Sequence, residues 1–335
     1  MQNKYNSEVD VAVLLLFFTR TEITKRTFEQ IRKARPARLY LYQDGPRVGR
    51  QDDVENVAKC RETIESMIDW DCEVHRKYQE NNYGCDPSEY ISQKWMFETE
   101  TKGIIIEDDD AMSVSFFRFC KELLDKYEND DRINMICGMN HLGVYEECPY
   151  DYFFNRVGGA IWGWATWKRV VDKWDPDYGF LQDPYALKSL ESEFGKKTVD
   201  NLVQICRRHK ATGREHYETI HGMGSYLSGT LNIIPKRNMT CNIGVGVDST
   251  HTSEYHKLTF RSRRNLFMRT YELEFPLSHP KYIQTDKHYW DLVECYISNP
   301  KIVQIFRLDR FEHLIYSIFP SIGKWVTRFE KDKQF

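Results

Sequence analysis

Residues 9–18 (Val-Asp-Val-Ala-Val-Leu-Leu-Leu-Phe-Phe) form a nearly unbroken apolar run. It is too short for a membrane span and suits a strand buried on both faces. Thr19 or Thr21 then offers a cap for a helix reaching about Ala34. Arg38–Gln43 predicts a second strand, closed by the turn signal Asp44-Gly45-Pro46. Helical spacing follows over 51–68, and Cys72–Lys77 predicts a third strand. Asp86-Pro87 opens a helix running to about Thr101, with proline at an early position. Gly103–Glu107 is the fourth strand, 113–127 a helix and Arg132–Met139 the fifth strand. Strands alternating with helices at this rhythm predict an α/β fold with a mostly parallel central sheet and flanking helices.

The pattern changes after about residue 140. Glycine and tryptophan crowd together over Gly158–Trp167, 182–217 is polar with helical spacing, and 230–252 reads as strand and loop. From about 255 the chain turns basic and aromatic, which predicts a helical C-terminal extension. The expected division is therefore a catalytic domain over 1–254, with halves 1–140 and 141–254, and an extension over 255–335.

Composition narrows the function. The 47 basic and 50 acidic residues give a net charge of 47 − 50 = −3, so no nucleic-acid footprint is expected. The nine cysteines show no C-x₂-C spacing, so a structural zinc site has no support. Their odd number and wide spread suit a reducing compartment. The first eight residues lack a charged region followed by an apolar signal core. A cytoplasmic location is expected from these features.

The strongest chemical signal is Glu107-Asp108-Asp109-Asp110, four carboxylates directly after an apolar strand. Like charges this close disfavour one another's ionised forms. A hard cation with oxygen ligands, Mg²⁺, Mn²⁺ or Ca²⁺, would remove that penalty. The alternative is an acidic first turn of the following helix, which accounts for one or two acids better than for four. In parallel α/β sheets ligands bind beyond the carboxyl ends of the strands. Both Gln43-Asp44-Gly45 and the acid cluster fall at such ends.

Five stretches together resemble the GT-A glycosyltransferases, most closely the N-acetylglucosaminyltransferase I-like branch and its bacterial relatives. They are Tyr42–Gly45, Glu80–Cys85, Ile106–Asp110, the Trp162–Trp167 box, and Asn242–Gly244 with Asp248–Thr252. The resemblance implies a nucleotide-diphospho-sugar donor, with a UDP-sugar favoured, and a Mn²⁺ or Mg²⁺ ion. It implies that Asp109 binds the metal, with Asp110 as a further candidate and His251 returning to the metal or diphosphate. It assigns Glu107 and Asp108 to the ribose and nucleotide, Asp44 to a uracil-like base edge, and Asn81, Asn82 and Gly84 to the nucleotide pocket. Relatives carry a basic residue after the Gly-Cys pair. Asp86 stands there instead, so that phosphate contact comes from elsewhere or is absent.

An inverting transfer needs a general base for the acceptor hydroxyl. The resemblance implies that this base lies in the second half, upstream of Ile233-Ile234-Pro235, where Glu218 stands at the position of an Asp in relatives; Asp183 is the competitor. Gly158, Gly159, Trp162 and Trp164 are expected to wall the sugar site, glycines allowing close approach and indoles stacking on sugar; a buried aromatic core is the alternative. The basic–aromatic interleaving from Arg307 to Arg328 suits a helix on an anionic membrane surface, or a helical subdomain packed on the core. The membrane reading would place the protein at the inner face of a membrane, with a glycan or lipid-linked acceptor in surface polysaccharide synthesis. An Mg²⁺-dependent phosphohydrolase and a non-catalytic sugar-binding protein are the competing functions. The former wants an acid pair after the first strand, where Thr19-Arg20 stands.

Overall fold

The computed structural model describes residues 7–244, 264–297 and 321. Its first half runs β1 (Ala12–Phe17), α1 (Thr21–Ala34), β2 (Arg38–Gln43), α2 (Gln51–Ser66), β3 (Glu73–Tyr78), α3 (Cys85–Thr99), β4 (Lys102–Glu107), β5 (Asp110–Met112), α4 (Ser115–Lys126) and β6 (Ile133–Cys137). The second half adds β7 (Tyr152–Asn155), β8 (Trp164–Trp167), the short α5 (Lys168–Val171), a 3₁₀ turn (Gly179–Gln182), α6 (Pro184–Phe194), α7 (Lys196–Thr212), α8 (Tyr217–Ser228), β9 (Leu231–Pro235), β10 (Thr240–Asn242) and α9 (Lys287–Ile297).

β1 is buried at every position. Its side chains alternate between two cores. Val13, Leu15 and Phe17 join one, with Phe28 of α1 and Phe116 of α4; Ala12, Leu14 and Leu16 join the other, with Met96 of α3 and Ile220 of α8. A strand that is apolar on both faces demands this double cover. The central sheet has the order β3-β2-β1-β4-β8-β6-β9-β7. β1, β2, β3, β4, β6 and β9 run one way, and β7 and β8 the other. The molecule is thus a mixed α/β protein with a large, mostly parallel sheet between helices, in agreement with the fold expected from the sequence.

Two features differ from the sequence reading. The tryptophan box is a strand: β8 lies antiparallel between β4 and β6 and splits the parallel run. The acid cluster also contains a strand, β5, which pairs antiparallel with β10 so that Asp110 faces Asn242. At α1 the capping position falls on Arg20, without a side-chain cap; the Thr24 hydroxyl donates back to the Arg20 carbonyl. The Arg20 side chain is engaged elsewhere, as described below.

Register fixes the functional edge. Phe17 pairs with Gln43, and Leu16 with Glu107, so β1, β2 and β4 finish side by side. In the expected extension, the first described helix is α9, and residues 264–286 are mostly irregular. They fasten onto the core: the Glu272 carboxylate accepts the backbone N–H groups of Val114 and Ser115, and Tyr289 and Val293 are fully buried. The basic–aromatic stretch from Lys301 lies outside the described residues, apart from Ser321. Among the described residues no helix is long and apolar enough to cross a membrane. All nine cysteines are free thiols.

Candidate active site

A cavity of about 220 Å³ opens at the carboxyl ends of β1, β2 and β4, lined among others by Arg20, Tyr42, Asp44, Asn82, Glu107 and Asp108. Asp44 organises one wall. Its carboxylate accepts the backbone N–H groups of Gly45, Tyr83 and Gly84, each at 3.0 Å, and the Asn82 amide at 2.9 Å. The Asn82 amide also donates to the Gly45 carbonyl. Asp44 therefore holds the 81–84 loop against the end of β2, and these bonds use most of its lone pairs. Burial nonetheless pushes its pKa up. Gly45 is needed for this closure, because a Cβ there would meet the Asn81 backbone at 2.6 Å. The Asn81 side chain itself is exposed. Gly84 turns the chain into α3 with φ +88°, a conformation that favours glycine.

The acid cluster forms the floor. Arg20 reaches from the end of β1 and makes a two-point ion pair with Asp108; its Nη2 also lies 2.9 Å from Asp109 Oδ2. Burial alone would lower the Arg20 pKa, and the two aspartates outweigh it and hold the guanidinium above its ordinary value. Burial pushes Asp108 up to about 6 although Arg20 opposes it. The other Asp109 oxygen accepts the Asn242 amide at 2.8 Å, and the Ile243 N–H binds the Asp109 carbonyl. Gly244 sits so close that a Cβ would fall 1.7 Å from Asp109 Oδ2. Asp110 turns inward: it is fully buried and accepts the Glu107 N–H at 2.9 Å. Thr27 secures the turn from below by bonding the carbonyls of Asp108 and Asp110. Burial and the neighbouring acids hold Glu107 and Asp110 well above the usual carboxylate range.

A second cavity, of about 310 Å³, adjoins the first and shares Gly84, Cys85 and Glu89 with it. Its far side carries His216 and Glu218 at the start of α8. Glu218 is exposed there, on the same cavity as Tyr83 and Gly84. His216 lies 3.3 Å from Asp86 and stacks on His209 with ring centroids 3.8 Å apart.

The other predicted residues lie differently. Asp183 caps α6, accepting the N–H groups of Tyr185 and Ala186, and lines neither cavity. The Trp164 ring is 1% exposed and packs against His221, with ring centroids 5.0 Å apart, so it fills the core. Trp162 is half-buried with Met139, Cys241 and Met268. Gly158 and Gly159 make room for Trp290 and Asn232, which a Cβ would meet at 2.8 and 2.7 Å. His251 lies outside the described residues.

The donor set suits a hard cation in one manner only. Among the described residues no three His, Cys, Asp or Glu side chains converge on a metal position. Mg²⁺ needs no such cage, since one or two carboxylates plus substrate phosphates hold it. Both Asp109 oxygens are engaged, one by Arg20 and the other by the Asn242 amide, so a cation at Asp109 would have to displace one of these contacts.

Arg20 and Glu89 are not among the residues expected from the sequence. The rule that ligands gather at strand carboxyl ends extends to β1, just beyond whose end Arg20 stands. Glu89 carries no sequence signal beyond its place one turn into α3.

No family model matches the chain, and no curated protein does. Among solved structures, UDP-glucose pyrophosphorylase complexed with UDP-glucose matches over 69% of this chain and 92% of that chain, at 9% identity and a TM-score of 0.36.

Proposed function

We propose that the chain is an inverting glycosyltransferase that takes a sugar from a nucleotide-diphosphate donor, a UDP-sugar being favoured. The observation that carries this reading is the meeting of two cavities. One is bounded by Arg20 and Asp108 at the carboxyl edge of the sheet; the other, joined to it along Gly84–Glu89, presents the free carboxylate of Glu218. Nucleotide and diphosphate would occupy the first and the acceptor the second.

Glu218 would take the proton of the acceptor hydroxyl as that oxygen attacks the anomeric carbon. The leaving group is a nucleoside diphosphate, so negative charge grows on its phosphates. Arg20 lies on that side and would stabilise this charge by exchanging part of its contact with Asp108 and Asp109 for the phosphates; electrostatic stabilisation of this kind is usually the largest catalytic contribution. A Mn²⁺ or Mg²⁺ ion shared by Asp109 and the phosphates would add Lewis-acid stabilisation. Asp44 and Asn82 would act by holding the loop that walls the nucleotide, and Asp108 and Glu107 by facing its ribose. The acceptor is assigned to glycans or lipid-linked sugars. Residues 301–335 are assigned to an anionic membrane surface; their removal should abolish vesicle binding and leave UDP affinity intact.

A panel of nucleotide sugars, with and without Mn²⁺, tests the reading by thermal stabilisation and by hydrolysis. Stabilisation by a UDP-sugar that Mn²⁺ strengthens supports it. Phosphate release from simple phosphomonoesters, without response to any nucleotide sugar, would favour a phosphohydrolase.

A further inference from the structure

Helix α1 buries two threonines, Thr24 and Thr27, both 0% exposed, beside Phe28 and Ile31. Arg20, Thr24 and Thr27 follow one another at intervals of four and three residues (24 − 20 and 27 − 24), the spacing of one helix face. The buried face of a surface helix is ordinarily apolar. A hydroxyl taken out of water is costly unless it is hydrogen-bonded. A threonine inside a helix ordinarily bonds back to the carbonyl three or four residues earlier, as Thr24 does to Arg20. Thr27 reaches out of its helix instead. Its hydroxyl lies 2.9 and 3.0 Å from the carbonyls of Asp108 and Asp110, 81 and 83 residues further along the chain.

These two carbonyls bracket Asp109. β4 ends at Glu107 and β5 begins at Asp110, so residues 108 and 109 form the turn between them. Within the turn the Asp110 carboxylate accepts the Glu107 N–H at 2.9 Å. From α1 the Thr27 hydroxyl serves both bracketing carbonyls with its single proton. From β10 the Asn242 amide and the Ile243 N–H hold Asp109 itself. The carboxylates aimed by this turn are the ones that share Arg20, and Asp108 bounds the first cavity. A valine in place of Thr27 would match its shape and leave both carbonyls without this donor.

We propose that Thr27 is a positioning residue for the nucleotide site: its hydroxyl fixes the turn that aims Asp108 and Asp109. Arg20 and Thr27 divide the support of the acid cluster, the first holding its side chains and the second its backbone. Thr27 does not line the cavity and acts through the turn. This rests on the placement of the nucleotide in the first cavity given above.

The test compares the full-length wild-type protein with Thr27→Val and Thr27→Ser, reading UDP affinity by calorimetry on folded protein without metal. Thr27→Val should weaken UDP binding about fivefold or more, the scale of one hydrogen bond. Thr27→Ser, which keeps the hydroxyl, should restore most of that affinity. Thr27→Cys, close in size with a weak donor, should fall between the two and serves if the valine variant does not fold. Unchanged UDP affinity in Thr27→Val, or in Thr27→Cys where that variant replaces it, would overturn the proposal. A serine variant as weak as the valine one would do the same, because packing and not the hydroxyl would then be responsible. If the wild-type protein binds no UDP, the nucleotide reading fails, and amide exchange at Glu107 decides the role of Thr27. Thr27→Val should speed that exchange if the hydroxyl holds the turn; an unchanged rate would count against it.

Discussion

The two cavities differ in how their charges are compensated. Along one wall of the first, polar groups are matched: Asp44 spends its carboxylate on three backbone N–H groups and Asn82, and Asp108 and Asp109 share Arg20, while Glu107 on the same cavity is held well above the usual carboxylate range by burial and neighbouring acids. Around the second, Glu89 and Glu218 have no cation among the described residues, and burial with the neighbouring acids pushes Glu89 up to about 8. A matched wall is preorganised and changes little when its ligand arrives. An unmatched one is under electrostatic tension that a ligand can relieve. Binding strength and shape are thus expected to reside in the first cavity, and discrimination and proton transfer in the second.

The sharpest way to break this division is Glu218→Gln. Transfer should fall by about 10²-fold or more, the usual scale for a general base, with nucleotide binding retained. Loss of UDP binding in that variant would place Glu218 on the matched side instead.

Arg20→Met attacks the other side. It strips the cation from two buried carboxylates, and breaking such a pair destabilises by about 3 kcal/mol or more. Chemical denaturation reads this directly; an unchanged midpoint would mean that Arg20 is not the group that satisfies Asp108 and Asp109.

The pH dependence of stability comes next. Burial raises Asp108 to about 6 and, with help from the charges of Asp86, Glu218 and Asp109, raises Glu89 to about 8. Both lie above their ordinary values of 3.8 and 4.5. Across the interval the native state keeps protons that the unfolded chain has lost. Stability should therefore fall as pH rises from about 4 to about 8, by at most ~1.4 kcal/mol per pH unit for each group. Glu107 and Asp110, also raised, act in the same direction. Glu89→Gln should flatten the upper part of the fall. Stability that rises over this range would show these carboxylates to be better solvated than the structure has them.

The smallest effect is expected at Asp183→Ala. Loss of the α6 cap should lower stability by about 1 kcal/mol, and transfer should continue. A large loss of transfer would restore Asp183 as the base.

The sheet was legible because its strands are apolar runs with turn signals between them. The bounds expected for Arg38–Gln43 coincide with the observed strand, and those for Gly103–Glu107 differ from it by one residue. β8 was not read as a strand: Trp164, Ala165, Thr166 and Trp167 are buried on both faces, so no polar alternation marks them. The acid cluster stood out by charge alone. What sequence could not show was the division of labour within it. Asp109 contacts Arg20 and Asn242, residues 89 positions upstream (109 − 20) and 133 downstream (242 − 109). Asp110 looks identical in sequence and turns inward. Glu89 was invisible for a related reason: a lone acid on a helix is ordinarily solvated, and only the fold shows this one to be buried.

The most direct test of the account is calorimetry of UDP with the wild-type protein and Asp108→Asn, with and without Mn²⁺. Wild-type protein should bind UDP more tightly with Mn²⁺ than without. The variant should bind about tenfold or more weakly, as expected for loss of one hydrogen bond to a charged group. Absence of UDP binding in either condition, or equal affinity in the two proteins, would contradict the assignment of the nucleotide to the cavity at the ends of β1, β2 and β4.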